Sequence, residues 1–76
     1  MKELYNNYYL QLGLKIAYYR KLKGLTQEQL AEKIDCTPAF IGHIEAPNIN
    51  KGISLDTLFA IAEVLDIEPY KFLMFD

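Results

Sequence analysis

Two helix beginnings lie eleven residues apart, at Thr26 and Thr37, and they constrain this chain more than any other feature. Thr26-Gln27-Glu28-Gln29 has the form of a capping box, in which the threonine side chain accepts from a backbone N–H and Gln29 reaches back to the cap. Thr37 is followed by Pro38. Proline at the first helical position gives up no hydrogen bond, and its fixed φ suits the first turn. Only Asp35-Cys36 separates the two helices, and Asp tolerates the left-handed backbone of so tight a turn. Leu30, Ala31 and Ile34 supply an inward stripe for a helix of about nine residues. Phe40, Ile41 and Ile44 do the same for the helix that runs to Glu45, leaving Pro38, Ala39, Gly42 and His43 on or near its outer side. The chain must bend sharply at residues 35–36.

The flanking segments are helical as well. From Glu3 to Lys23, Tyr5, Tyr9, Leu12, Ile16 and Tyr19 recur at steps of four and three, which is one apolar helical face. Gly13 costs this helix about 1 kcal/mol relative to Ala, so the first dozen residues are expected to fray or form a separate turn. Gly24 ends the helix. Ala46 to Ile53, APNINKGI, is a loop by its Pro, Asn and Gly content. Ser54 caps a fourth helix, with Leu55, Leu58, Ile61, Ala62 and Leu65 on its face and Asp56 in its first turn. A last short helix follows Glu68, with Pro69 at its start. No stretch alternates with period two long enough for a strand. The expected fold is all-α, about five short helices in a single domain over residues 1–76, with an N-terminal extension of about residues 1–10.

Size sets the next bound. A 76-residue chain buries roughly 60% of the surface it exposes when unfolded, so a partner would help its stability. No apolar run is long enough to span a membrane. The N-terminus lacks the apolar core of a secretory signal, and the single cysteine, Cys36, forms no internal disulfide, so a cytoplasmic setting is expected. The net charge of −2 is unevenly spread: residues 1–53 carry seven Lys or Arg against five acids, and residues 54–76 carry one against five. A polyanion would meet the first part, although a solvated surface accounts for the asymmetry too.

Two short helices joined by a tight turn make a helix-turn-helix. A longer run sharpens the pattern: LGLKIAYYRKLKGLTQEQLAEKIDCTPAFIGHIE, a polar loop, then SLDTLFAIAEVLDI. Over roughly residues 11–73 it resembles the phage-repressor and Cro type of DNA-binding domain, the XRE or lambda-repressor-like family. The likeness is carried by Leu12, Gly13, Ile16 and Arg20, by Gly24-Leu25-Thr26-Gln27 with Leu30 and Ala31, by Ile41, Ile44 and Glu45, and by Leu58, Ala62 and Leu65. Asp35 stands where the family usually has Gly, and Pro47 replaces the Gly that commonly follows the Glu.

The resemblance implies a double-stranded DNA partner, with residues 37–45 as a recognition helix in the major groove. Thr37, Pro38, Ala39, Gly42 and His43 would then face bases. Thr26 and Gln27 on one side, and Asn48, Asn50, Lys51 and Ser54 on the other, would hold phosphates, consistent with the affinity of helix N-termini for anions. Ala39 and the Pro38 ring can touch a thymine methyl, and Thr37 and His43 can bond a base edge or phosphate. The reading positions hold no Arg, Asn or Gln for a bidentate contact, so specificity is expected to lean on the shape and deformability of the site. Arg20 and Glu45 match positions that form a structural ion pair in the family.

Other residues have plainer readings. His43 has no second ligand at metal spacing, so no metal or other cofactor is expected, and Cys36 reads as a small buried hydrophobe, with a redox sensor as the alternative. Lys15, Lys21 and Lys23 read as a solvated helix face. The tyrosines near the start suit packing, in the core or across a dimer, more than stacking on single-stranded nucleic acid. Tyr70, Phe72, Leu73 and Phe75 are the expected homodimer contact. No nucleophile, base and orienting group come together, and no Gly-rich phosphate loop is present, so an enzyme is not expected. The sequence therefore reads as a DNA-binding regulator, a repressor of transcription, with a protein-interaction module or antitoxin-like component as the alternative.

Overall fold

The computed structural model describes residues 2–46 and 52–75. Four α-helices and a closing 3₁₀ helix follow in order: α1 Lys2–Leu22, α2 Gln27–Lys33, α3 Pro38–Glu45, α4 Leu55–Leu65 and the 3₁₀ helix Pro69–Leu73. No strand occurs among the described residues.

Local chemistry sets most boundaries. Thr26 Oγ1 accepts from the Gln29 N–H at 3.0 Å while Gln29 Oε1 accepts from the Thr26 N–H at 2.8 Å, so both arms of the capping box close. Thr37 and Ser54 cap α3 and α4 in the simpler way, each hydroxyl accepting from the N–H three residues on. Two turns are paid for in left-handed backbone by aspartates, Asp35 at φ 59° and Asp66 at φ 56°. Gly24 supplies the third, at φ 74°.

The core draws on every element: Leu12 and Ile16 from α1, Leu30 and Ala31 from α2, Ile41 and Ile44 from α3, four residues of α4, and Phe72. α3 packs on α2 and on α1, so the corner formed by α2 and α3 is held from behind by the long first helix.

Two expectations need correction. The start of the chain is no separate turn: α1 is continuous from Lys2 to Leu22. Gly13 does not break it, because the glycine is buried against the end of α3, and a Cβ there would collide with the Ile44 carbonyl. A helix is interrupted by glycine's flexibility only if packing does not hold it, and here packing does. The last element is a 3₁₀ helix of five residues, too short to recover the cost of nucleating an α-helix. Finally, Phe72 is wholly buried and cannot serve as a dimer contact. Its ring meets Tyr19 edge-on, with centroids 5.3 Å apart. Phe75 is half-buried and stacks on Tyr8 at 5.2 Å. Tyr70 and Leu73 remain exposed.

Candidate nucleic-acid interface

The outer side of α3 is presented to solvent. Thr37, Pro38, Ala39 and His43 are exposed and Gly42 is half-buried, while Ile41 and Ile44 on the opposite side are in the core. The Thr37 hydroxyl accepts from the Phe40 N–H at 3.1 Å. A hydroxyl that accepts still has its proton to donate, so the cap does not exhaust Thr37.

What holds α3 is a buried polar network at its last residue. Arg20 Nε donates to Glu45 Oε2 at 2.7 Å, and Arg20 Nη2 donates to Glu45 Oε1 at 2.9 Å. This is the bidentate geometry that makes guanidinium–carboxylate pairs strong and directional. Arg20 Nη1 donates to the Leu25 carbonyl at 2.7 Å, tying the turn before α2 into the same cluster. A third donor reaches Glu45: Gln27 Nε2, at 3.0 Å from Oε1. The hydrogen bond to Glu45 raises the Arg20 pKa above its ordinary value, against the opposing effect of burial. One carboxylate thus joins α1, the turn after it, the start of α2 and the end of α3.

Gln27 was expected from sequence to face phosphate. Its side chain instead turns inward to Glu45 and lies over Gly42, where an added Cβ would sit 3.6 Å from Gln27 Oε1. No local pattern announces this contact, because the partners are eighteen residues apart and on different helices. Thr26, at the N-cap of α2, is exposed. Ser54 is exposed too, but its hydroxyl both accepts from the Thr57 N–H at 3.1 Å and donates to Thr57 Oγ1 at 3.0 Å. Asn48, Asn50 and Lys51 lie outside the described residues.

Cys36 sits half-buried in the turn between α2 and α3, its thiol 3.7 Å from the Thr37 carbonyl. Burial, and then the neighbouring Asp35 carboxylate, push its pKa up. A thiol held neutral is a poor nucleophile. Among the described residues, no three His, Cys, Asp or Glu side chains are grouped to hold a metal ion. No helix among them is long and apolar enough to cross a membrane.

A helix-turn-helix family model matches residues 16–72. Among solved structures, the chain is similar to the crystal structure of the restriction-modification controller protein C.AhdI from Aeromonas hydrophila. The two share 30% sequence identity and a TM-score of 0.77, over 84% of this chain and 94% of that one. Comparison with curated proteins gives no match.

Proposed function

The chain belongs to the helix-turn-helix family of the phage-repressor and Cro type, and from that membership we propose that it is a sequence-specific, double-stranded DNA-binding regulator of transcription, acting as a repressor. The observation that carries the reading is the posture of α3: its outer side is open from Thr37 to His43 while Glu45 anchors its far end to two other helices. A recognition helix needs both properties. It must be accessible to a groove, and it must not move relative to the elements that grip the backbone.

In this reading Thr37, Pro38, Ala39, Gly42 and His43 face the base edges. Thr26 holds one strand, and Asn48, Asn50, Lys51 and Ser54 the other. The chain acts as a homodimer through Tyr70 and Leu73, with half-buried Phe75 at the margin. A two-fold axis then sets the operator as an inverted repeat with half-sites about 34 Å apart. Similarity to a controller protein supports the regulatory role.

A direct test is the salt dependence of duplex binding by the full chain and by Lys51→Ala. The variant should bind all duplexes more weakly and lower the slope of log K against log salt by about 1. A slope unchanged in the variant removes Lys51 from the phosphate contacts. Absence of duplex binding at low salt removes the whole reading. The apolar character of Pro38, Ala39 and Gly42 and the acidic residues 54–76 favour a second reading, a protein-interaction module, and that last outcome is the one it expects.

A further inference from the structure

The outer side of α3 is short of polar groups. Pro38, Ala39 and Gly42 offer neither a side-chain donor nor an acceptor, so a groove-facing surface made of α3 alone would read little beyond methyl groups and shape. The network around Glu45 alters that account. An ionised carboxylate only accepts, so it is the amide nitrogen of Gln27 that must face Glu45, as found at 3.0 Å. This fixes the orientation of the amide, and its oxygen points the other way. That oxygen lies over Gly42, near the position a side chain at 42 would occupy. Gly42 sits on the outer side of α3 between Pro38, Ala39 and His43. The residue that lacks a side chain on the third helix is thus covered by a side chain lent from the second.

We propose that Gln27 is a specificity-determining residue of the DNA-reading surface, presenting its amide oxygen beside Gly42 as an acceptor for the exocyclic amine of adenine or cytosine in the major groove. The inference rests on the DNA-binding reading above and deepens it. Glu45 acts here as a positioning residue, since it holds the amide the right way round without touching DNA. Gly42 is required because any large side chain there would cover the oxygen. The half-site should therefore contain one position at which adenine or cytosine is preferred on a given strand, next to positions read through thymine methyls and shape.

The test begins with the duplex motif that the full-length wild-type chain selects, from which a set of single base-pair variants is made. Binding to each is measured for wild type, Gln27→Met and Gly42→Leu, with helix content followed by circular dichroism. Gln27→Met keeps the length of the side chain and removes the acceptor. Gly42→Leu leaves Gln27 in the chain but covers its oxygen, and it keeps the proposal testable if Gln27→Met fails to fold. Discrimination at one adenine or cytosine position should fall about fivefold or more in either variant, the loss expected for one base contact, while other positions keep their preferences. A uniform loss across all duplexes would make Gln27 a phosphate or structural residue and overturn the proposal. If wild type selects no motif, the DNA-binding reading itself fails, and the proposal with it.

Discussion

Glu45 is more than nine-tenths buried and accepts three hydrogen bonds from two residues. Burying a carboxylate and a guanidinium costs several kcal/mol per ion, and their attraction offsets this only when geometry is good and the remaining lone pairs are satisfied. Both conditions hold here, and no buried polar side-chain atom among the described residues is left without a partner. Removing one member should therefore cost more than the pair contributes. Arg20→Ala is expected to lose about 3–5 kcal/mol in urea unfolding, and Gln27→Ala about 1.5–3 kcal/mol, the range for one hydrogen bond to a charged group. Equal and small losses would show that the network is not what anchors α3. The family resemblance named Arg20 and Glu45 from sequence, but it put Gln27 on phosphate. The reach of a side chain between helices has no signature in local spacing.

Cys36 gives a second residue-scale expectation, with a definite sign. Its folded pKa is raised, so above the unfolded thiol's ordinary value of about 8.5 the unfolded chain ionises first and the folded state does not follow. The contribution to stability is present below that pH and is lost as pH rises through the folded pKa. Alkylation by iodoacetamide at pH 8.5 should be slower for the folded chain than for the same chain in urea. An equal rate would place Cys36 outside the protecting turn.

At the scale of elements, two glycines in helices should respond in opposite directions. Gly42 has room for a Cβ, at ordinary contact distance from Gln27, so Gly42→Ala should gain up to about 1 kcal/mol of helix stability. Gly13 has none, because α3 passes too close, and Gly13→Ala should lose about 1–3 kcal/mol, or more if the helices cannot separate. Thermal unfolding of the two variants against wild type checks both; a shared sign would contradict the packing described. The helix starts were legible because Thr26, Thr37, Pro38 and Ser54 act within a few residues of themselves. The continuity of α1 was not, since what offsets the cost of Gly13 is a helix some thirty residues further on. The closing helix was legible at its start, since Pro69 marks where it begins, but nothing nearby says whether five residues will close as α or 3₁₀.

At the scale of the molecule, the exposed apolar side chains decide what remains to be covered. Leu55 and Phe59 on α4 and Tyr70 and Leu73 on the 3₁₀ helix are all at least 46% exposed. Leu73→Asp should abolish self-association in sedimentation while leaving helix content intact, whereas Phe72→Ala should lose about 3–5 kcal/mol of stability, as core truncations do. An unchanged mass for Leu73→Asp would move the interface off this element. The all-α class and the family were readable in the sequence, because order and spacing of apolar and capping residues carry them. Which apolar residues stay outside was not, since Phe72 and Leu73 differ only in where the last turn points them.

The central claim is that α3, anchored through Glu45, reads duplex DNA as one half of a two-fold pair. Selection by the full-length chain from a pool of random duplexes at low salt, followed by sequencing, tests it most directly. The account predicts enrichment of an inverted repeat with half-site centres about one helical turn apart. Recovery of the unselected pool under those conditions, where phosphate contacts are strongest, would contradict it.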